Sequence, residues 1–575
     1  MSLDGTGALP APDEDGPPPR NTILTLLDAE QLARFYAAGH WRPETIYGRV
    51  RQRSAVTPDK VAVREASRQA SYAELVDAAD RLAGALEAAG LRPGQRVAVW
   101  LSSRIETAVA LLACSRNRYV CSPSLHRDHT VAEVTELLSR MRAAALIAEA
   151  GYGADAGRAD IFERAGELET LKAALAVPPR AAGTAGIFPE LTLEPASAPA
   201  TTPDTVVYLA FTSGTTGEPK GVMHSDNTLL APVRSLAGDW RLGADSVVYS
   251  ISPLSHNLGF GAMLLALTEG GELVVHDLPR GASLLDRLLE TGTTFLFGVP
   301  THAIDLLAEL RARGFDRGGR LQGFRISGSA VPAAVAEGLL AHGVTPQSGY
   351  GMTEAGSHHY TRPDDPAEVV VGTSGRACAG YEVRIFSQED PDLELPIGEI
   401  GQIGGRGAGL MLGYFDDQRG TEESFNRQGW FLTGDLGLMD DAGNVKVTGR
   451  KKDIIIRGGH NIFPAKIEGL TLRHAAVDKA AAVPFPDERL GERVCLVVSL
   501  KRGTAIEPEE LLEHLDAAGL SRYDMPEYFL RLDELPLMPS GKIFKRRLVE
   551  WLDSGRVSAT PIRFSPKATG ADEAV

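Results

Sequence analysis

Apolar positions recur along this chain with two alternating periods. Tyr72, Leu75, Val76, Ala79, Leu82 and Leu86 fall on one helical stripe. Ser71-Tyr72-Ala73-Glu74 reads as a capping box at its start, and Gly90 stops it. The run VAVWL (97–101) is short and wholly apolar, which predicts a buried strand. ETAVALLAC then reads as helix, YVCS as strand, TVAEVTELLSRM as helix and AALIA as strand. Further on, SVVYSI, ELVVH, TFLFG, FRISG and VTPQSGY read as strands between helical segments. Such alternation predicts parallel sheets with helices on both faces, and two runs of it predict two doubly wound layers in one large N-terminal region.

The texture changes past Trp430. GNVKVTGR and KKDIIIRGG predict a β-hairpin, FPAKIEGLTLRH and EPEELLEHLDAAG helices, and AAAVPF and RVCLVVSL strands. The expected organisation is α/β: a large N-terminal domain over 21–451 and a small C-terminal α+β domain over 452–557, divided at the charged stretch Arg450–Asp453. Residues 1–20 and 558–575 read as disordered tails. The Ala/Pro/Thr-rich stretches VPPRAAGTAG and EPASAPATTPD read as linkers.

Composition narrows the class. Of 575 residues, 59 are Lys or Arg and 75 Asp or Glu; the net charge of −16 excludes a generic basic nucleic-acid binder. It leaves room for basic loops that hold phosphates. With 43% hydrophobic and 23% charged residues the chain is a globular protein. It has no apolar run long enough for a membrane span, and its acidic, Pro/Gly-rich start lacks the basic and apolar regions of a secretory signal. Cys114, Cys121, Cys378 and Cys495 form no C-x-x-C pair, as expected for reduced thiols in a cytoplasmic protein.

The most informative segment is TVVYLAFTSGTTGEPKGVMHS (205–225). An apolar strand runs into Thr212, Ser213, Gly214, Thr215, Thr216 and Gly217, followed by Lys220. Glycines let backbone N–H groups approach phosphate oxygens, hydroxyls add donors, and the lysine adds charge. The spacing is not that of the Walker A loop.

This stretch resembles the phosphate-binding signature of the adenylate-forming superfamily, which holds acyl-CoA synthetases, acid–AMP ligases, adenylation domains and luciferases. The resemblance runs from about Asp59 to Leu548 with the motifs in the family's order. It is similar in detail to cyclohexanecarboxylate-type CoA ligases and 2,3-dihydroxybenzoate–AMP ligases. It implies a small β-barrel-like part in the large domain and a mobile C-terminal domain. It implies ATP, Mg²⁺ and CoA as cofactors, with a carboxylic acid as substrate. A carrier-protein phosphopantetheine in place of CoA, or retention of only the thioester-forming half-reaction, stays an alternative. A homodimer is compatible with it.

Residue by residue, the resemblance implies the following. Tyr350, Gly351, Met352 and Thr353 lie along the nucleotide, with Ser329 and Ala330, and Glu354 holds Mg²⁺. Asp435, in GWFLTGD, accepts from the ribose hydroxyls, and Arg450 contacts the ribose. Lys452 is the hinge. Lys542, in PLMPSGK, catalyses adenylation, although Met538 replaces a threonine common in that motif. Arg457, Gly458, Gly459 and His460 line the CoA tunnel after the domain turns. In SPLSHNLGFG, His256 closes the carboxylate end of the acyl pocket, joined by Asn257, Phe260, Gly298, Val299, Gly328, Gly351 and Met352. Small residues there imply a bulky cyclic, aryl or medium-chain acid. The segment CSRNRYVCSPSL departs from the family, and Arg116 and Arg118 within it are expected at the surface.

Overall fold

The computed structural model describes residues 29–180, 186–212, 219–279, 281–328, 331–458, 460–538 and 541–564, without the side chain of Asn461. Helix Tyr72–Ala88 begins on the expected capping box: the Ser71 hydroxyl accepts from the Glu74 N–H at 3.2 Å, and the Glu74 carboxylate accepts from the Ser71 N–H at 2.8 Å. Its predicted stripe is buried except for half-buried Val76. Helix Val131–Arg140 repeats the device with Thr130 and Glu133.

Two layered sheets form the large domain. In the first, Ala173–Val177, Ala143–Glu149, Arg96–Trp100, Val120–Ser122, Val206–Thr212 and Lys220–Ser225 lie side by side, parallel except for the last. The second has nine strands. Its middle runs parallel in the order Thr345–Met352, Gly323–Ile326, Phe295–Gly298, Val247–Ser250, Glu272–Val275 and Val61–Arg64. One apolar core joins the inner faces of both sheets to helices Tyr72–Ala88, Ile105–Asn117, Asp226–Trp240 and Asn257–Glu269. Every strand expected by periodicity in this region is present.

Every residue of helix Ile105–Asn117 is buried, so Arg116 is not at the surface as its charge led us to expect. It lies inward with its Nε 2.6 Å from Asp80 and its Nη1 2.8 Å from the Asn117 side chain. A helix covered on all sides has no polar face to which a basic residue could be assigned; Asp80, one helix away, supplies the counter-charge. Arg118 is exposed as expected and caps the helix in the left-handed conformation, φ 57°.

A four-stranded antiparallel sheet stands where the small barrel-like part is expected: Tyr381–Phe386, Gly401–Gly407, Phe431–Met439 and Val445–Arg450. The expected hairpin of GNVKVTGR with KKDIIIRGG is absent. Val445–Arg450 pairs with Phe431–Met439, whereas Ile455–Arg457 pairs with His460–Ile462. Val445 belongs to the core of Val383 and Ile385, Ile455 to that of Ile462 and Ile467. The turn Lys451–Asp453 separates two cores that local alternation cannot tell apart. In the C-terminal sheet Val477–Asp487, Gly491–Leu500 and Tyr528–Arg531 are adjacent. Past Val557, where a tail is expected, Thr560–Pro561 pairs with Tyr528–Arg531 and Ile562 is buried.

Helix Tyr72–Ala88 carries a glycine at a contact with chain, not side chain. A Cβ on Gly84 would fall 2.2 Å from the Leu193 carbonyl oxygen. Gly84→Ala is expected to cost about 1–3 kcal/mol through that overlap, despite alanine's better helix propensity. The denaturation midpoint reads this; an unchanged or higher midpoint would show that the 193–194 segment gives way freely.

Candidate active site

Two antiparallel pairings bring the nucleotide candidates together. Thr345–Met352 ends next to the four-stranded sheet, so that the Tyr350 hydroxyl donates to Asp435 Oδ2 at 2.6 Å. Asp435 and Arg450 are cross-strand partners, and Arg450 Nε lies 2.9 Å from Asp435 Oδ1. The carboxylate raises the Arg450 pKa, while burial and the same carboxylate push the Tyr350 phenol up. Each Asp435 oxygen keeps a second lone pair for another donor.

Thr212 ends its strand as the register partner of Lys220, and its hydroxyl donates to the Lys220 carbonyl. Ser213, Gly214, Thr215, Thr216 and Gly217 lie outside the described residues, as do Ser329, Ala330 and Gly459. The Lys220 ammonium sits 4.4 Å from the centre of the Tyr414 ring, and the Tyr414 hydroxyl donates to Glu354 Oε1 at 3.1 Å. Burial raises the Glu354 pKa; Lys220 and Arg450 pull it back. The His224 imidazole bonds the Thr353 carbonyl at 2.7 Å and fixes the loop between Met352 and Glu354. Tyr414 and His224 were not singled out from sequence. Among the described residues no group of three or more His, Cys, Asp or Glu could hold a metal. A divalent cation at Glu354 would therefore take most of its oxygens from phosphate and water, the usual habit of Mg²⁺.

Lys542 enters this site from the C-terminal domain. A Cβ built on Gly328 would meet its Cε at 3.0 Å, and one on Gly541 would meet Val299 at 3.0 Å. Two glycines thus make the seat: Gly328 with φ 104° in the large domain and Gly541 with φ 81° beside the lysine. Burial lowers the ammonium pKa to about 8, assisted by Arg450 and opposed by Asp435.

His256 caps helix Asn257–Glu269, and burial, then the nearby Lys542 charge, lowers its pKa to about 4, so its ring is neutral. Its Nε2 is buried with no partner among the described residues. Its face stacks on His126, centroids 4.0 Å apart, and His126 bonds Ser255 Oγ at 3.0 Å. His129 accepts from the His126 N–H. These two histidines escaped the sequence reading, although HRDH in the loop carries them three residues apart. The Asn257 amide donates to the Met352 carbonyl at 3.2 Å, joining the acyl candidates to Gly351-Met352. Gly298 ends its strand just before Val299, which lies beside Gly328. Phe260 instead packs inward, its ring 4.3 Å from Tyr208.

The tunnel candidates are not in this group. Arg457 pairs with Glu527 at 2.7 Å and bonds the Tyr523 carbonyl, and His460 lies 2.9 Å from Asp524, all within the C-terminal domain. Gly458 turns the strand pair with φ 58°. Lys452 lies in the turn between the domains.

Residues 50–415 match the family model of the AMP-binding enzymes, and residues 466–542 that of the AMP-binding enzyme C-terminal domain. The medium-chain fatty-acid–CoA ligase of Escherichia coli K12 is 32% identical over 91% of this chain and 94% of its own length. A feruloyl-CoA synthase from an Amycolatopsis species is 32% identical over 86% of this chain and 96% of its own. Among solved structures, ATP-bound MatB from Rhodopseudomonas palustris is 28% identical and superposes with a TM-score of 0.79 over 89% of this chain and 99% of its own. The apo form of the same protein gives 0.70. No helix among the described residues is long and apolar enough to cross a membrane.

The glycine seat makes a direct prediction. Gly328→Ala puts a methyl where the Lys542 chain lies and strains a left-handed residue. The pH midpoint for modification of Lys542 by an amine-directed reagent, read by peptide mass spectrometry, is expected to move up from about 8 by at least about one unit in the variant as burial is lost. An equal midpoint in both proteins would mean that Gly328 is not the seat.

Proposed function

The chain belongs to the AMP-binding enzyme family, and we propose from this that it is an ATP-dependent acid–thiol ligase that forms acyl-CoA. In the first step a carboxylate oxygen of the acid attacks the α-phosphorus of ATP. The bond to the β-phosphate oxygen breaks, giving acyl-adenylate and pyrophosphate. In the second the CoA thiol attacks the acyl carbon; the thiol proton is lost and AMP leaves. The acid belongs to the medium-chain, aryl or cyclic class, in line with the two relatives.

One observation carries the reading: Lys542, from the mobile domain, is buried against Gly328 beside His256, Arg450 and Asp435. An ammonium there neutralises charge that develops between the carboxylate and the α-phosphate. Asp435 accepts from the ribose hydroxyls while Tyr350 and Arg450 hold it, and Tyr350 lies along the base. The loop from Thr212 to Lys220 cradles the phosphates with Thr353. Glu354 fits a Mg²⁺ shared with them, a hard cation that adds charge neutralisation when bound. His256, neutral and with a free ring nitrogen, faces the carboxylate end. For the second step the domain turns about Lys452, withdraws Lys542 and brings Arg457, Gly458, Gly459 and His460 to the pantetheine arm.

Mass spectrometry of the protein with ATP, Mg²⁺, CoA and a panel of benzoates, cyclohexanecarboxylate and medium-chain acids tests the reading. An acyl-CoA product supports it; acyl-adenylate with no thioester contradicts CoA as acceptor. Lys542→Ala is expected to cut pyrophosphate release at least about 100-fold, the scale of one lost electrostatic contact, while sparing thioester formation from supplied acyl-adenylate. An unchanged overall rate would remove Lys542 from the chemistry. Because the free-enzyme pKa is about 8 and the charged form is the active one, kcat/KM for pyrophosphate release should fall as pH rises through about 8. Lys542→Arg should lose that limb. Lys452→Pro should stop at acyl-adenylate; normal thioester synthesis by this variant would contradict the hinge.

A further inference from the structure

The parallel strands Phe295–Gly298, Gly323–Ile326 and Thr345–Met352 place Phe297, Arg325 and Gln347 in register, so their side chains leave one face of the sheet. That face is the inner one: Phe297 shares its core with Phe260, Met263 and Leu264 of the His256 helix. Arg325 is thus a guanidinium inside an apolar core, 3% exposed. Its Nη1 bonds Gln347 Oε1 at 2.6 Å and its Nη2 bonds Ser357 Oγ at 3.0 Å. Both partners are neutral, and among the described residues no carboxylate pairs with it. Burial lowers its pKa to about 10, so it stays charged at neutral pH.

A buried charge without a counter-ion is costly, and natural cores supply the partner. The neighbouring Gln347 is fully buried, and its Nε2 has no hydrogen-bond partner among the described residues. The guanidinium has neutral acceptors but no counter-ion, and the Gln347 amide has a donor to spare. Their place along the acyl side is fixed by the strand that carries Gly351. Gly349 lies between, and a Cβ on it would meet the guanidinium at 2.9–3.1 Å. Gly349 and Gly351 are about 7 Å apart at two residues of strand rise. The Arg325 guanidinium therefore sits one small-molecule length behind the Gly351-Met352 end that Asn257 ties to the His256 helix.

We propose that the acid carries a second oxygen acceptor, a carboxylate or a carbonyl, at the end remote from the reacting carboxylate, and that Arg325 and Gln347 bind it. The inference rests on the ligase reading and sharpens its substrate class: an oxo acid or a dicarboxylic acid, not a plain hydrocarbon acid. A site built to bond an oxygen rejects the analogue that lacks it far more strongly than a greasy pocket rejects a methylene.

Matched acids test this by kcat/KM for pyrophosphate release and acyl-CoA formation: terephthalate against 4-isopropylbenzoate, and 6-oxoheptanoate and heptanedioate against heptanoate. The oxygen-bearing member of a pair is expected to be preferred at least about 100-fold. Whether the ketone or the diacid leads identifies the acceptor. Arg325→Met should bring the ratio to within about tenfold of one. Preference for the hydrocarbon acids, or an Arg325→Met variant that slows both members of a pair equally, overturns the proposal. Should that variant not fold, Gln347→Leu replaces it, with a loss of about tenfold in the same ratio expected and an unchanged ratio as the contrary result. Absence of pyrophosphate release with every acid strikes at the ligase reading itself and takes the proposal with it.

Discussion

A lysine ammonium stripped of water sits where the two domains meet, and the charged groups around it bear on the cost of placing it there. Lys542 gives up hydration to lie on Gly328, and burial drags its pKa down to about 8. Arg450 adds to the penalty, and Asp435 offsets it. That balance makes docking of the small domain conditional. Incoming carboxylate and phosphate would strengthen it, because they place negative charge where the protein has left positive charge poorly compensated.

The histidines follow from the same constraint. A charged imidazole beside a desolvated lysine would repel it, and burial keeps His256 neutral with a pKa near 4. His126 stacks on its face and is itself pushed down to about 2 by burial. The two stacked imidazoles thus contribute shape and hydrogen bonding without adding charge beside Lys542.

Much of this was legible from residue patterns. Wholly apolar runs of four or five residues gave the parallel strands, because strands buried on both faces show no alternation to confuse. The capping box at Ser71 gave a helix start to the residue. The motifs around Lys220, Tyr350, Asp435 and Lys542 gave a site whose members are far apart in sequence. What failed, failed for want of long-range information. Val445–Arg450 and Ile455–Arg457 look like two arms of a hairpin because each alternates, yet they serve different cores. Arg116 looked like surface charge because Asp80, its partner, lies on another helix. Phe260 reads as pocket lining together with its neighbours His256 and Asn257, and its ring turns to Tyr208. His126 and Tyr414 had no motif of their own; only the fold sets them beside His256 and Glu354.

One strand shows how the fold ties the two substrate sides together. Along Thr345–Met352 successive side chains leave opposite faces. Tyr350 points to Asp435 and the proposed nucleotide side, while Gly349 backs onto Arg325 on the proposed acyl side. The register then shifts at Tyr350/Gly351, a bulge that ends the regular pairing just before Thr353 and Glu354. A glycine on the acyl face is what lets a guanidinium lie against the backbone there, and a tyrosine on the other face is what orients the carboxylate that Arg450 shares. Because both faces belong to one pleat, neither can shift without the other. On the proposed function, two reactants that must meet at a single phosphorus would be positioned from one stretch of backbone, with Lys542 delivered to its end by the C-terminal domain.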